Sequence, residues 1–451
     1  MALNPRAERT ILPSGVTVIT DHYPIGGGVA ARLCVHRGHL HDPAHQNGLA
    51  HFAEHMVLHG VPDIPADVLE ERFKDAGLIH WNMSTALQRT KYEVAGLTEG
   101  ATEYLDLIAQ SLVACAYDGD DFALEQGRII NEMRRYVANP DLQADYTRDQ
   151  RIFAGQPHAA WAGGLPDHLA RITLEDIRNY HRSAHVTGNL VLITSGDWSH
   201  DAACRWADTK LAPLPNASRT QKCLSRIMPD DVWIDDPGQS SPQSGPMTDY
   251  KVIYDASSLP FNDQMLLKLG HSLLRRPIQN RVAHHFGVYN FGLGFYAMDS
   301  SCVHTAELSG SKVSPDTLPT LLKSTLAVMQ EEIDKIDEDQ FQKQKNRFRL
   351  SRQTQDVFGR SNLKMRLDEL EYNHFSNGPE DVWGSPMTAI QNAQLSDVRR
   401  ILRQTYSGHP VTYYRGHLQD NFPTGRDLQA VFTHPNPTLG HAKRLLPDPT
   451  P

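Results

Sequence analysis

The chain has 451 residues, with 44 Lys and Arg against 53 Asp and Glu and a formal net charge of −9 with His neutral. That length exceeds one hydrophobic core, so two or more domains are expected. The acidic balance without a long basic run argues against a nucleic-acid partner, and no apolar run reaches the length of a membrane span. The opening Met1–Arg9 lacks the apolar core of a signal peptide. Cys34, Cys115, Cys204, Cys223 and Cys302 are scattered without C-x-x-C spacing, which argues against a disulfide framework. A soluble, cytoplasmic protein is the expectation.

The first chemistry-bearing stretch is His51-Phe52-Ala53-Glu54-His55. On a helix of 3.6 residues per turn, positions four apart share a face, so His51 and His55 can reach one metal ion together. Glu54 lies beside them, close enough to polarise a water on that ion without being a ligand. H-x-x-E-H is the reversed form of the commoner zinc-protease helix motif. A catalytic zinc takes three protein ligands and a water, so a third ligand is required.

The best place for it is the segment Leu124–Tyr136, which reads as a helix with Ile129, Ile130 and Met133 inward. Glu125 and Glu132 are seven residues apart on it and share a face; 76 residues separate His55 from Glu132. Further on, His181 and His185 repeat the i, i+4 spacing without a third ligand or base, and are read as solvated positions at a helix end.

The chain also repeats itself. Leu174-Glu175-Asp176-Ile177-Arg178 is echoed by Leu395-Ser396-Asp397-Val398-Arg399 at an offset of 221, each followed by a strand ending in Gly, at Gly196 and Gly416. Asp118–Arg128 is echoed by Asp337–Arg347 at an offset of 219, with Phe122 matching Phe341. Two tandem α+β units explain this better than a solenoid of short repeats. The boundaries read as a metal-binding unit over 1–227, a linker over 228–250 rich in Asp, Pro, Ser and Gly, and a second unit over 251–451 with an irregular tail from Phe422. At the positions matching Glu125 and Glu132 the second unit carries Gln344 and Ser351, and it has no H-x-x-E-H, so it is expected to keep the scaffold without the metal.

H-x-x-E-H followed by 76 residues and Glu resembles the pitrilysin family, which includes insulysin and the mitochondrial processing peptidases. Gly48–Met56 resembles that family's G-x-A-H-x-x-E-H-M, while Leu12–Ile19 and Asn189–Asp197 look like its opening and closing strands. The resemblance implies His51, His55 and Glu132 as ligands of one Zn2+ per chain, Glu54 as general base and Glu125 as a supporting carboxylate. It also implies two homologous domains, each a largely antiparallel sheet covered by helices. Asn82, Met83, Ser84 and Thr85 look like the start of the family's substrate-binding strand, with Met83 where Ala is usual and Gln88 where Asp is usual. Arg281–Tyr289 looks like the segment that supplies Arg and Tyr transition-state donors, one residue longer than the usual pattern, which makes Arg281 and Tyr289 candidates.

The implied activity is zinc-dependent endopeptidase action on short or unfolded peptides. A chain of two units looks like the processing-peptidase type, which implies pairing as a homodimer or with a related subunit. The alternative is a weak or inactive partner subunit of such a pair.

Overall fold

The computed structural model describes residues 7–24, 26–221, 223, 225–228, 231–235, 248–288, 290–298, 303–358, 363–375, 385–408 and 410–416. The irregular tail expected from Phe422, Cys302 and Tyr289 lie outside the described residues. Eleven strands form two sheets among them. The first contains β1 (Glu8–Ile11), β2 (Thr17–His22), β3 (Gly28–Val35), β4 (Leu78–Thr85), β5 (Thr90–Leu97) and β6 (Leu190–Gly196), in the order β1-β2-β6-β3-β5-β4. The second contains β7 (Asp231–Asp235), β8 (Thr248–Asp255), β9 (Gly292–Met298), β10 (Val303–Val313) and β11 (Val411–Gly416), in the order β7-β11-β8-β10-β9.

Apart from β1 the two orders are the same. Each sheet has one parallel pair, β2 with β6 and β7 with β11, and is otherwise antiparallel. The fold is α+β with two tandem units of one architecture, as the internal echoes require. One difference falls at the join. Asp231–Asp235, inside the stretch read as a linker, is the strand that corresponds to β2. Its short apolar centre, Val232-Trp233-Ile234, is hard to recognise beside the Pro-, Ser- and Gly-rich residues that follow.

Strand β3 shows why the sheets need cover on both faces. Val29, Ala31, Leu33 and Val35 alternate onto the face covered by the helices of their own unit, among them Thr98–Ala114. Ala30 and Cys34 point the other way, to a patch with Ile19, Val191 and Ile193. The helix Leu363–Phe375 of the second unit covers that patch with Leu367, Leu370 and Phe375, all fully buried. Each such side chain contributes roughly 1.5–3 kcal/mol by leaving water. The exchange is mutual: from the end of helix Pro140–Ile152 in the first unit, Ile152 and Phe153 pack with Ile253, Val303, Val411 and Tyr413 of the second sheet.

Charge joins the same interface. Arg32, 1% exposed on β3, pairs with Glu93 across the ladder and with Asp368 and Glu371 on the covering helix. Arg89 and Lys91 also reach Glu371, and Arg366 pairs with Asp21. The four described cysteines are free. No helix among the described residues is long and apolar enough to cross a membrane.

Candidate metal centre

The motif helix runs Leu49–Met56 and starts sharply. Gly48 sits at φ 93°, a conformation that L side chains rarely adopt, and an added Cβ would lie 2.6 Å from the Gly163 carbonyl. Asp42 completes the start by accepting from the backbone N–H groups of Gly48 (2.9 Å) and Ala50 (3.0 Å), donors that a helix N-terminus leaves free. The helix buries Phe52, Ala53 and Met56 against Ile129 and Met133 of the helix Gly119–Val137, and Phe52 stacks on Phe122 at 5.1 Å. Ile130 packs at the edge of this cluster. This packing brings the acidic face of the second helix to the histidine face of the first.

His51, His55 and Glu132 consequently converge, each offering one ligand atom, all within 4.8 Å of one another. The two imidazole rings are 4.9 Å apart and nearly perpendicular, and His55 Nε2 lies 3.5 Å from a Glu132 oxygen. Two imidazole nitrogens and one carboxylate oxygen are the donor set of a catalytic zinc with an open position. The outer atoms fit that use. His55 Nδ1 is 3.2 Å from Glu125 Oε2 and His51 Nδ1 is 3.5 Å from the Gly163 carbonyl, contacts that leave Nε2 of each ring as the lone-pair nitrogen. Burial, and then the neighbouring His55, hold His51 down at about 4, so its ring is neutral at pH 7.

Glu125 is tied on three sides. Besides His55 it accepts from His59 Nε2 at 3.1 Å and from Arg128 at 2.6 Å. Burial works to raise its carboxyl, but those three partners hold it well below the usual carboxylate range. His59 is anchored in turn by Asp121 at 2.8 Å. Neither His59 nor Asp121 is part of the sequence reading, although His59 continues the spacing of His51 and His55 by four more residues.

Glu54 is 5% exposed, and its Oε2 accepts from Thr85 Oγ1 at 2.7 Å. Burial pushes its carboxyl up to about 7; Thr85 and His55 oppose this and Glu132 adds to it. A carboxyl poised there exchanges protons readily near neutrality. Thr85 therefore touches the candidate base.

The other sequence candidates are distributed as follows. Asn82, Met83, Ser84 and Thr85 lie on β4, the edge strand of the first sheet, opposite Glu93, Tyr92, Lys91 and Thr90 of β5. Met83 packs against the core of its own unit. Gln88 is fully buried and clamps the backbone of Cys223, with its side-chain NH2 donating to the carbonyl and its oxygen accepting from the N–H. Arg281 lies in the second unit, its guanidinium held by Glu331 at 2.8 Å and Glu332 at 2.5 Å.

His181 and His185 are not solvated, as the sequence reading had them. They are 4% and 3% exposed, and His181 bonds the Tyr117 hydroxyl and the Leu112 carbonyl. They plug the core beside the neighbouring helix end.

The sequence matches the family model for insulinase (peptidase family M16) over residues 17–159 and the model for the peptidase M16 inactive domain over 171–348. It is 25% identical to the mitochondrial-processing peptidase subunit beta of Caenorhabditis elegans over 272 residues, 60% of this chain and 57% of that one. It is 24% identical to an uncharacterized zinc protease of Rickettsia felis over 49% of this chain and 54% of that one. The similarity thus spans little more than half the length of these relatives. In fold, it resembles the first half of the periplasmic protease PqqL from Escherichia coli, with a TM-score of 0.78 at 14% identity, covering 100% of this chain and 99% of that one. It also resembles a peptidase M16 inactive domain from Pseudomonas fluorescens, with a TM-score of 0.74 at 17% identity over 92% and 98% of the two chains. With both family models matched in tandem over one two-unit fold, the chain belongs to the peptidase M16 (insulinase) family.

Proposed function

We propose that this chain is a zinc-dependent endopeptidase that hydrolyses short or unfolded peptides, with one ion held by His51, His55 and Glu132. The observation that carries the reading is the convergence of those three donors within 4.8 Å, with Glu54 buried beside them. Zinc bound there would lower the pKa of a coordinated water towards neutrality and polarise a scissile carbonyl. Glu54 takes the proton of the attacking water and hands it to the leaving amine, and Thr85 holds its carboxylate in place. Glu125 orients His55 and keeps its Nε2 free to bind the ion.

β4 presents an edge beside this centre, and an extended peptide can add to it by main-chain hydrogen bonds, which select conformation more than sequence. Asn82 to Thr85 are the residues of that strand we assign to the substrate. Relatives named as a subunit of a processing peptidase support assembly with a second copy or a related chain. A second reading, a catalytically weak partner subunit, draws on Arg281, whose guanidinium is engaged by Glu331 and Glu332. Retention of all three donors and of Glu54 favours the enzyme.

The test compares wild type with Glu54→Gln on a mixed peptide library, with and without a chelator, by mass spectrometry. Chelator-sensitive cleavage that disappears in a variant still holding zinc supports the assignment. Cleavage undiminished in the variant contradicts it.

A further inference from the structure

A cavity of about 350 Å3 opens from the metal centre, with His51, Thr85 and Glu132 on its wall. The same cavity is lined by two further histidines from separate short turns, His39 of His39–His41 and His158 of Pro157–Ala159. Both are only 3% exposed. The Ala86 carbonyl can satisfy at most one ring nitrogen of His39, so among the described residues at least one is left without a hydrogen-bond partner. His158 lies flat on Phe153 at 3.8 Å, which covers one ring face, and its buried Nδ1 has no partner among the described residues either. Native interiors rarely leave buried polar atoms unpaired, so such groups call for a partner, whether an ordered water, an ion or a ligand.

The remaining wall restricts which ligand fits. Leu87, Tyr146 and Trp161 are apolar or aromatic, with the Tyr146 and Trp161 rings 4.7 Å apart. Asp145 and Asp149 also border the cavity; Arg148 binds both, at 2.5 Å and 2.8 Å, and offsets one of their two charges. Burial holds His39 at about 3, with His158 adding to the effect, and holds His158 at about 4, with Arg148 adding. Both rings are therefore neutral at pH 7, each with one donor and one acceptor nitrogen. An aromatic ring bearing a group that both donates and accepts matches such a pocket. Among peptide side chains tyrosine carries both functions on one hydroxyl at the tip of an apolar ring, whereas histidine carries them within the ring.

We propose that His39 and His158 are specificity-determining residues, forming a pocket that takes a tyrosine side chain of the peptide substrate next to the scissile bond. The ring packs against Leu87, Tyr146 and Trp161, and the hydroxyl hydrogen-bonds the imidazole edges. This inference rests on the peptidase reading above.

The test uses peptides of one sequence with Tyr, Phe or Leu placed in turn at each position flanking the cleavage site. In the wild type, Tyr exceeds Phe in kcat/KM by about tenfold at one position, the scale of one net hydrogen bond. His39→Phe and His158→Leu bring the Tyr/Phe ratio to about one, whereas His39→Asn, which keeps a donor and an acceptor, retains most of it. Equilibrium binding of fluorescent Tyr and Phe peptides to the Glu54→Gln protein reads the same preference without turnover. A tenfold binding preference together with no hydrolysis of any of these peptides by the zinc-loaded wild type refutes the peptidase reading and keeps the pocket. Equal binding of the two peptides by otherwise wild-type pocket residues, or a preference unchanged by both His39→Phe and His158→Leu, overturns the pocket.

Discussion

Replacing Glu125 by Gln tests how much the metal centre depends on a residue that is not a ligand. The carboxylate serves three donors, His55 at 3.2 Å, His59 at 3.1 Å and Arg128 at 2.6 Å. An amide has one acceptor oxygen, and its NH2 group must face a partner that also needs to donate. If the oxygen stays with Arg128 and His59, the NH2 group meets His55 Nδ1, and the ring then satisfies it only by moving its proton to Nε2. That is the nitrogen facing Glu132, so the lone pair meant for the metal is lost. Loss of such an outer partner typically costs 10–100-fold in metal affinity, or about 1.4–2.7 kcal/mol. Competition against a chromophoric zinc chelator measures it, with circular dichroism to show that the fold persists. Arg128 is 58% exposed on its side chain and touches only the outside of the carboxylate, so Arg128→Met should change affinity less than about threefold. Zinc affinity within twofold of wild type in folded Glu125→Gln would refute the reasoning.

Other consequences follow from the packing. Glu371→Gln removes one of the three carboxylates paired with buried Arg32 and the carboxylate paired with Arg89, and breaking a buried pair costs about 3–5 kcal/mol. At about 1 °C per kcal/mol for a chain of 451 residues, the Tm of the metal-free protein should fall by about 3–5 °C, and a fall under about 1 °C would contradict the role assigned to the pair. Burial raises the Glu93 carboxyl, but Arg32 and Lys364 outweigh it and hold it at about 2. A folded value below the unfolded one stabilises above about pH 4.5, and that contribution is lost as pH falls towards 2. The Tm should therefore drop on acidification across that window, and by less in Glu93→Gln; an identical pH profile for the two proteins would count against it. Gly48→Ala forces a Cβ into a left-handed position facing the Gly163 carbonyl and should destabilise by about 2 kcal/mol or more, read as a lowered denaturant midpoint.

What was legible in the sequence was whatever a local period encodes. The i, i+4 histidines and the seven-residue spacing of Glu125 and Glu132 follow from helix geometry alone, and the structure sets those two helix faces against each other. The doubling of the fold was also legible, because paired segments recur at nearly constant offsets. Contacts made by distant segments were not. Thr85 reaches Glu54 from a strand 31 residues away, and the Gly163 carbonyl reaches His51 across 112 residues. Helix Leu363–Phe375 covers the sheet of the other unit, which explains the unbroken burial of β3 after its first residue, but neither segment carries a mark of which sheet and helix meet. His181 and His185 looked solvated because their residue type and helix-end position suggested it. Their burial depends on Tyr117 and Leu112, which tertiary packing alone brings near.

The central claim is that two imidazoles and the Glu132 carboxylate hold one ion. Zinc content by mass spectrometry, with zinc K-edge absorption on the purified chain, tests it most directly. One zinc per chain is expected, in a shell of two imidazole nitrogens and oxygen, with occupancy lost in Glu132→Ala and kept in Glu54→Gln. A shell containing sulfur, or full occupancy in folded Glu132→Ala, would contradict it.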